Sequence, residues 1–446
     1  MPGAETGKKI KKGKERFMLS STLIANIAGG QLDNRFSELY GAQSVDFARK
    51  RYSALIAEFE SRYGAGRDVM LLSVPGRSEL AGNHTDHNHG RVIAGSIDLD
   101  VIAVVAAGDG SVVRVKSEGF PEDVVDLAAF TSPRPERFGR SDALIAGVAA
   151  GFRANGLKVG GLDAVTTSNV LKGSGLSSSA AFEDMIGTMF SHLYNDGSVD
   201  FVTISQISQF SENRYFGKPC GLMDQVACAA GGIVSIDFAD TAHPAVEKVD
   251  FDFTGAGYRL CIINTGGNHA DLTPDYAAVP AEMKAVAAAL GKTVLRETDE
   301  DAVVAAIPTL RATVGDRAVL RALHFFAENR RVDTMKAALR AGDLGGYFSG
   351  VLSSGKSSFC YLQNVYSTVN VAEQGVSLAL CLCEKYLSSC RRPAAWRVHG
   401  GGFAGTVQAY VPDEDAEGFR KYIENVFGEG NCYMLRIRPI GATRVI

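Results

Sequence analysis

The sequence predicts an α+β fold with two domains, and three observations lead to this prediction. Short apolar runs rich in valine and isoleucine, typical of buried strands, dominate the first part of the chain. Segments with apolar residues at helical spacing begin near Ser141 and recur toward the C-terminus. The 446 residues, 46% of them hydrophobic, are enough for more than one core. We place the division near residue 245, giving domains at 17–245 and 246–446 after a disordered basic tail at 1–16.

Composition indicates small-molecule partners. The net charge is −4, so no overall basic field favours binding to nucleic acid or to an anionic membrane. The eight cysteines lack paired C-x-x-C spacing and are predicted to be reduced thiols of a cytoplasmic protein. No apolar run is long enough to cross a bilayer, and the lysine-rich start lacks the apolar region of a signal peptide. We expect a monomer or a small homo-oligomer.

The elements are predicted in chain order from apolar runs and helical spacing. Mixed helical spacing over about 17–65 predicts one helical region that ends at Tyr63-Gly64. The first domain continues with strands at 69–74, 101–105 and 112–115, helices at 141–153, 180–194 and 202–215, and a strand at 233–238. The second domain has a strand at 258–263, helices at 275–290, 316–339 and 369–387, strands at 394–398 and 406–411, a helix at 414–427 and a strand at 432–438.

A segment rich in glycine and serine, 170–181, leads into the helix predicted at 180–194. Glycines let backbone N–H groups approach a ligand closely, and a helix N-terminus offers unpaired N–H donors and the positive end of the helix dipole. The hydroxyls of Ser177, Ser178 and Ser179 add donors and a ligand type suited to magnesium. The segment predicts a nucleotide-phosphate site, although it lacks the Gly-Lys-Ser/Thr of the P-loop. Taken alone, the segment would be interpreted as a flexible Gly/Ser turn before a helix.

A polar segment at 75–90 directly follows the strand predicted at 69–74. Its carboxylate, imidazole and amide groups would be costly to bury without partners, so they are predicted to line a cleft. Such groups suit a polyhydroxylated ligand, while the Arg77 cation suits phosphoryl oxygens. The alternative is a metal site formed by Asp86 and the neighbouring histidines, but their spacing matches no zinc motif.

Two further segments carry chemistry. Asp224 stands between Gly-Leu-Met and a run of small apolar residues, so its carboxylate is predicted to be partly buried and to need a charged partner, for which Arg77 is the candidate. Taken alone, Asp224 would be a helix cap and Glu212 an exposed helix acid. The run 400–405 satisfies G-x-G-x-x-G, but a strand rather than a helix is predicted after it, which excludes a dinucleotide site.

Together these motifs resemble those of the galactokinase-type branch of the GHMP small-molecule kinase family. Residues 76–88, GRSELAGNHTDHN, are similar to the sugar-binding signature GRVNLIGEHTDYN. Residues 171–181 resemble PxGxGLSSSAA with Leu171 in place of the proline, 221–225 resemble GIMDQ, and 400–405 resemble GGGFGG. The resemblance covers roughly residues 45–446.

The resemblance implies a two-domain GHMP-kinase fold with the active site in the cleft between the domains. It implies a kinase that uses ATP and Mg²⁺ to phosphorylate the anomeric hydroxyl of galactose. The implied catalytic residues are Asp224 and Arg77, and the implied metal ligands are Ser179 and Glu212. The implied sugar-binding residues are Asn83, His84, Asp86 and Tyr276. The implied ATP-binding residues are Lys172, Gly173, Ser174, Gly175, Leu176, Ser177, Ser178, Ser179 and Ala180.

Departures from the family pattern fall on the sugar motif. Asn83 stands where the family has a glutamate that contacts the sugar C6 hydroxyl, and His87 and His89 replace an aromatic residue and a glycine. An amide does not repel a carboxylate, so a C6-modified sugar such as galacturonate is an alternative substrate. N-acetylgalactosamine and arabinose are further alternatives. A non-catalytic galactose-sensing regulator is a further alternative. It is disfavoured because Ser179 and Ala180, altered in such regulators, are both present.

Overall fold

The computed structural model describes residues 17–170, 175–267, 272–369, 371–403 and 405–446. The described residues form α-helices and two β-sheets, which confirms the predicted α+β class. The predicted basic tail, 1–16, lies outside the described residues. Within the ranges that are described, no helix combines the length and the apolar content that spanning a membrane requires.

The first part of the chain holds most of the strands. Its helices are α1 (Ser20–Ala28), α2 (Asp33–Tyr40), α3 (Val45–Tyr63), α4 (Ser141–Ala154), α5 (Ser178–Tyr194), α6 (Phe201–Ser211) and α7 (Met223–Ala230). Its strands are β1 (Met18–Leu19), β2 (Asp68–Ala81), β3 (Arg91–Ala107), β4 (Val112–Ser117), β5 (Glu122–Asp126), β6 (Leu162–Ser168), β7 (Ile233–Asp237) and β8 (Ala245–Val249). A short π-helix, Glu212–Phe216, continues from α6.

The second part is mainly helical. Its helices are α8 (Thr273–Ala289), α9 (Glu300–Thr313), α10 (Asp316–Arg340), α11 (Leu344–Ser357), α12 (Gly375–Leu387) and α13 (Ala416–Phe427). Its strands are β9 (Tyr258–Asn264), β10 (Ala395–His399), β11 (Thr406–Pro412), β12 (Cys432–Leu435) and β13 (Thr443–Arg444). A second π-helix, Ser358–Leu362, continues from α11.

The first sheet has the order β1-β2-β3-β6-β4-β5, with β13 paired to β2 and with β7 joining β3 to β8. Its strand β2 is buried on both faces, because alternate residues enter different cores. Met70 and Leu72 pack in one core with residues of α4 and α5, whereas Val69 and Leu71 pack in another with α1, α2 and α3. Burial on both faces explains the unbroken apolar run by which the strand was predicted.

The second sheet is antiparallel, in the order β10-β11-β9-β12. Alternation along β9 again separates two cores. Leu260 and Ile262 pack with residues of α10 and α11, while Cys261 and Ile263 pack with α12 and α13. The α10–α11 core also contains Leu80 of β2, so one apolar cluster joins the two sheets next to the polar segment at 75–90.

The structure corrects two predictions in the N-terminal third. The helical region at 17–65 is three helices rather than one, because Gly30 and Gly41 take positive φ after α1 and α2. The strand predicted at 69–74 continues to Ala81, because β3 pairs with it along this length across two register shifts. Arg77 therefore lies on a strand and not in a loop after one.

Other boundaries also differ from the prediction. The helix predicted at 202–215 becomes a π-helix after Ser211, the one predicted at 369–387 begins at Gly375, and the strand predicted at 432–438 ends at Leu435. The sequence patterns did not predict the strands β1, β5, β6, β8 and β13 or the helices α7, α9 and α11. In α11 the glycines obscured the helix, although close packing requires at least one of them: a Cβ on Gly350 would lie 2.4 Å from Met335 Cγ.

The division near residue 245 stays a prediction. Strand pairing shows that β8, which begins at Ala245, still belongs to the first sheet through β7. The C-terminus returns to that sheet, where β13 pairs with β2. The return is supported by a fully buried ion pair, in which Arg438 Nη1 donates to Asp100 Oδ2 at 3.0 Å.

Candidate active site

The sugar and phosphate motifs meet where β2 passes the start of α5. Gly76 permits this approach, since a Cβ at this position would lie 2.8 Å from the carbonyl oxygen of Leu176. The following residue, Arg77, donates its backbone N–H to the same carbonyl at 3.2 Å. The Arg77 side chain therefore starts from a position that the phosphate segment itself holds in place.

Arg77 and Asp224 form an ion pair at this junction. The Nε and Nη2 atoms of Arg77 donate to Asp224 Oδ1 at 2.9 and 2.7 Å, and Ser177 Oγ donates to Asp224 Oδ2 at 2.5 Å. The Asp224 side chain is 33% exposed, against 7% for Arg77, so the carboxylate stays accessible from one side. Burial raises the pKa of Asp224, but Arg77 and Ser177 outweigh burial and hold this pKa below its ordinary value. Asp224 is therefore ionised at neutral pH.

The described part of the phosphate segment is 175–180. The predicted ATP-binding residues Lys172, Gly173 and Ser174 lie outside the described residues. Ser177 takes a left-handed conformation with φ of 61° just before α5, and its side chain makes no capping hydrogen bond to this helix. The side chains of Leu176 and Ala180 are buried in apolar cores, so only their backbone groups are available to a ligand. A helix N-terminus without a side-chain cap suits an anion.

Glu212 begins the π-helix after α6 and lies beside Ser179. Its Oε1 accepts from Ser179 Oγ at 3.3 Å and from Lys218 Nζ at 3.0 Å, while its Oε2 accepts from Gln225 Nε2 at 3.1 Å. Carboxylate and hydroxyl oxygens are ligands that Mg²⁺ prefers, and proteins usually supply only one or two of them. Glu212 and Ser179 thus fit such an ion. Glu183, which shares the Gln225 amide, has its pKa raised well above the ordinary value, mainly by burial.

Asn83 is fully buried and makes hydrogen bonds with both ends of its amide. Its Nδ2 donates to Gly400 O at 2.7 Å and to Glu79 Oε1 at 3.2 Å. Its Oδ1 accepts from Asn364 Nδ2 at 2.9 Å and from Ser358 Oγ at 3.2 Å. The amide therefore links Glu79 of β2, the glycine loop and the segment that follows α11, and both ends of the amide have protein partners.

The other predicted sugar-binding residues lie in or against the loop between β2 and β3, residues 82–90, which we call the sugar loop. His84 Nε2 lies 2.9 Å from Gly401 O, and its ring centroid lies 5.3 Å from that of Tyr276, which is 44% exposed. Burial lowers the pKa of His84 to about 4, so the imidazole is neutral at physiological pH. The Asp86 carboxylate lies against Gly221, where a Cβ would be 2.0 Å from Asp86 Oδ2. Among the described residues no three His, Cys, Asp or Glu side chains form a metal-binding group.

Three residues that the sequence did not single out, Glu328, His324 and Arg397, support the sugar loop and the end of β2. Glu328 on α10 accepts the backbone N–H groups of Gly82 and Asn83 at 3.3 and 3.4 Å, and His324 Nε2 lies 3.0 Å from Asn83 O. Arg397 on β10 donates to Glu79 Oε1 at 2.9 Å, and both side chains are nearly inaccessible. For Glu328 and His324, the sequence signal was their position on the core-facing side of α10, because polar groups buried there need hydrogen-bond partners.

We expect Asn83→Ala to destabilise the fold by about 3 kcal/mol, since it leaves buried partners of the amide unpaired. Urea unfolding followed by circular dichroism measures this change. Asn425→Ala, at an exposed position on α13, is the matched control and should change stability by less than about 0.5 kcal/mol. Equal stability of the two variants would mean that the amide network does not hold the loop.

The glycine loop that follows β10 packs against Asn364 and against His84 of the sugar loop. A Cβ on Gly402 would lie 1.9 Å from Asn364 O, so the close approach of these backbones requires glycine. His399, before the loop, lies 3.0 Å from Ser78 Oγ and from Thr406 Oγ1. Ala404 lies outside the described residues. Strand β11 follows the loop, as predicted, which confirms the reason for excluding a dinucleotide site.

Comparisons with known proteins agree with this arrangement. Residues 57–107 match the galactokinase galactose-binding signature, and residues 143–232 match the N-terminal domain of GHMP kinases. A galactokinase of Streptomyces coelicolor is 29% identical over 420 residues, which cover 93% of this chain and 97% of that protein. A galactokinase of Streptomyces lividans is 30% identical over 382 residues, covering 84% and 89%.

Solved structures show the same fold. The crystal structure of Lactococcus lactis galactokinase complexed with galactose has a TM-score of 0.74 at 23% identity, covering 88% of this chain and 100% of that one. The mevalonate kinase of Methanococcus jannaschii has a TM-score of 0.58 at 14% identity, covering 82% and 98%. The two matched signatures contain Arg77, Asp224 and the phosphate segment, and relatives align over most of the chain. This protein therefore belongs to the galactokinase family of GHMP kinases.

Proposed function

We propose that the protein transfers the terminal phosphoryl group of ATP to the anomeric hydroxyl of galactose, giving galactose 1-phosphate and ADP. The observation that carries the proposal is the Arg77–Asp224 pair, which stands between the phosphate segment and the sugar loop. Phosphoryl transfer requires in-line positioning and charge stabilisation rather than covalent work by the protein. An ionised carboxylate next to a fixed guanidinium suits both the attacking hydroxyl and the transferred group.

In this proposal Asp224 is the catalytic carboxylate. It accepts the proton of the anomeric hydroxyl as the oxygen attacks phosphorus, while the bond from phosphorus to the leaving oxygen of ADP breaks. Arg77 keeps Asp224 ionised and offsets negative charge on the transferred group. Ser177, donating to the second carboxylate oxygen, orients Asp224.

The N-terminus of α5 is the proposed site for the ATP phosphates, which the backbone N–H groups of 175–180 and the hydroxyls of Ser178 and Ser179 would bind. Glu212 and Ser179 would hold Mg²⁺. When bound, this ion would neutralise negative charge on the phosphates. Lys172, Gly173 and Ser174 stay proposed ATP ligands on the family resemblance alone.

His84, Asp86 and Tyr276 are the proposed sugar-binding residues. A phenol can donate to and accept from adjacent hydroxyls, a carboxylate accepts from them, and the neutral His84 imidazole, with its Nε2 at the Gly401 carbonyl, can accept through Nδ1. Asn83 is proposed to act indirectly, because its amide is used by Gly400, Asn364 and Ser358. We propose a cytoplasmic site of action, where ATP is available.

The test is ATP consumption by the purified protein with Mg²⁺ and a panel of sugars: galactose, N-acetylgalactosamine, glucose, arabinose and galacturonate. We expect the highest kcat/KM with galactose. Preference for another sugar would overturn the substrate assignment and keep the kinase assignment. Binding of galactose by calorimetry with no phosphorylation of any sugar would overturn the kinase assignment and favour a sensor.

A further inference from the structure

Lys218 lies beside Glu212 and Ser179, the proposed metal ligands, and none of the motifs described above includes it. Its Nζ lies 3.0 Å from Glu212 Oε1, the oxygen that also accepts from Ser179 Oγ. Because Ser179 is in the first turn of α5, the ammonium group stands beside the helix N-terminus proposed to bind phosphate. Arg77 approaches the same region from β2.

The loop that carries Lys218 is folded back onto the π-helix. The backbone N–H of Lys218 donates to Glu212 O at 3.1 Å, and the N–H of Cys220 donates to Asn213 Oδ1 at 2.7 Å. Gly217 takes a φ of 77°, and a Cβ there would lie 2.3 Å from Phe138 Cδ2. The side chain of Lys218 therefore begins from a backbone position that several contacts determine.

Pairing with Glu212 accounts for only part of the hydrogen-bonding capacity of Lys218. The Glu212 side chain is 3% exposed, whereas that of Lys218 is 61% exposed. An ammonium has three donors, and the bond to Glu212 occupies one. Lys218 therefore has donors left for another acceptor in the cleft.

The other cation of the site is largely committed to protein partners. Arg77 uses Nε and Nη2 on Asp224, and Nη1 donates to the carbonyl of Gly175. A triphosphate brings several negative charges into the cleft, and an isolated buried charge is costly without a partner. A second cation beside Ser179 would offset them on the side away from Asp224.

We propose that Lys218 is a phosphate ligand: its ammonium neutralises Glu212 in the free protein and turns to phosphoryl oxygens of ATP in the complex. The inference rests on the proposed function, since it assumes ATP as the phosphoryl donor. Four flexible carbons allow the ammonium to change partners while the backbone stays fixed. The change would leave Glu212 Oε1 available to Mg²⁺.

The test is equilibrium binding of ATP in EDTA, measured by displacement of a fluorescent nucleotide, which reports the lysine without the metal. Lys218→Met should raise the metal-free Kd for ATP about tenfold, as loss of a charge-assisted hydrogen bond would. Lys218→Arg should stay within about threefold of the wild type, because charge is kept. Lys421→Met, at an exposed position on α13, removes an equal charge elsewhere and should change nothing.

In steady-state kinetics with Mg²⁺, Lys218→Met should raise KM for ATP and leave KM for the sugar unchanged. Metal-free ATP affinity equal to that of the wild type would overturn the inference and leave Lys218 as the counter-ion of Glu212. Lys218→Gln provides the same comparison if the methionine variant does not fold. A wild-type protein that binds ATP but phosphorylates no sugar would overturn the proposed function and not the binding result.

Discussion

Asp224→Asn is expected to lower kcat by at least about a hundredfold, the usual effect of losing a general base. The amide is nearly isosteric, its oxygen can still accept from Arg77 and its NH2 group can donate to the Ser177 hydroxyl, but it cannot take the proton of the attacking hydroxyl. KM for the sugar should stay within about threefold, because the carboxylate acts mainly in the transition state.

Single-turnover phosphorylation and calorimetric sugar binding separate the two effects for this variant. Asp86→Asn is the matched control, since it changes a carboxylate of the sugar loop that is proposed to bind substrate. It should raise KM more than it lowers kcat. A kcat of Asp224→Asn close to that of the wild type would remove Asp224 from the catalytic role.

Arg77→Met should lower kcat by about a hundredfold to a thousandfold, the loss seen when one fixed donor to developing charge is removed. The variant also removes the group that holds down the pKa of Asp224, leaving burial, which raises it, as the largest influence. The pKa of Asp224 should therefore rise.

The pH profile distinguishes these consequences. In the wild type the Asp224 pKa lies below its ordinary value of 3.8, so the base is ionised throughout the assay range and causes no loss of rate toward pH 5. In Arg77→Met, kcat/KM should fall as the pH decreases through the raised pKa. Arg77→Lys, which keeps the charge but not the two donors to one oxygen, should show a smaller shift. Identical profiles for all three proteins would mean that Arg77 does not set the ionisation of Asp224.

Much of the site could be predicted from the sequence because its chemistry is local. Glycines before the serine hydroxyls predicted a phosphate segment at the head of a helix, and α5 begins at Ser178. The pairing of Arg77 with Asp224 was inferred from the need of a partly buried carboxylate for a cation, and the two are in contact.

The hydrogen-bond partners of Asn83 could not be predicted in this way. Two of them, Asn364 and Gly400, are 281 and 317 residues away along the chain. The position of an amide in a motif does not reveal whether it points to a ligand or to a distant loop, and only tertiary packing decides this. The same holds for Glu328 and His324, which support the loop from another helix.

By itself, the sequence determined the α+β class, the motifs and the chemical type of the site, because apolar spacing and glycine positions act through neighbouring residues. Tertiary structure alone decided that β2 continues through Arg77 to Ala81, because that depends on pairing with β3. It also decided that β13 returns to β2 and that buried polar groups at 79, 83 and 397 satisfy one another. These features depend on contacts between segments that are distant in the chain. A local sequence pattern does not indicate which distant segment will pair with it.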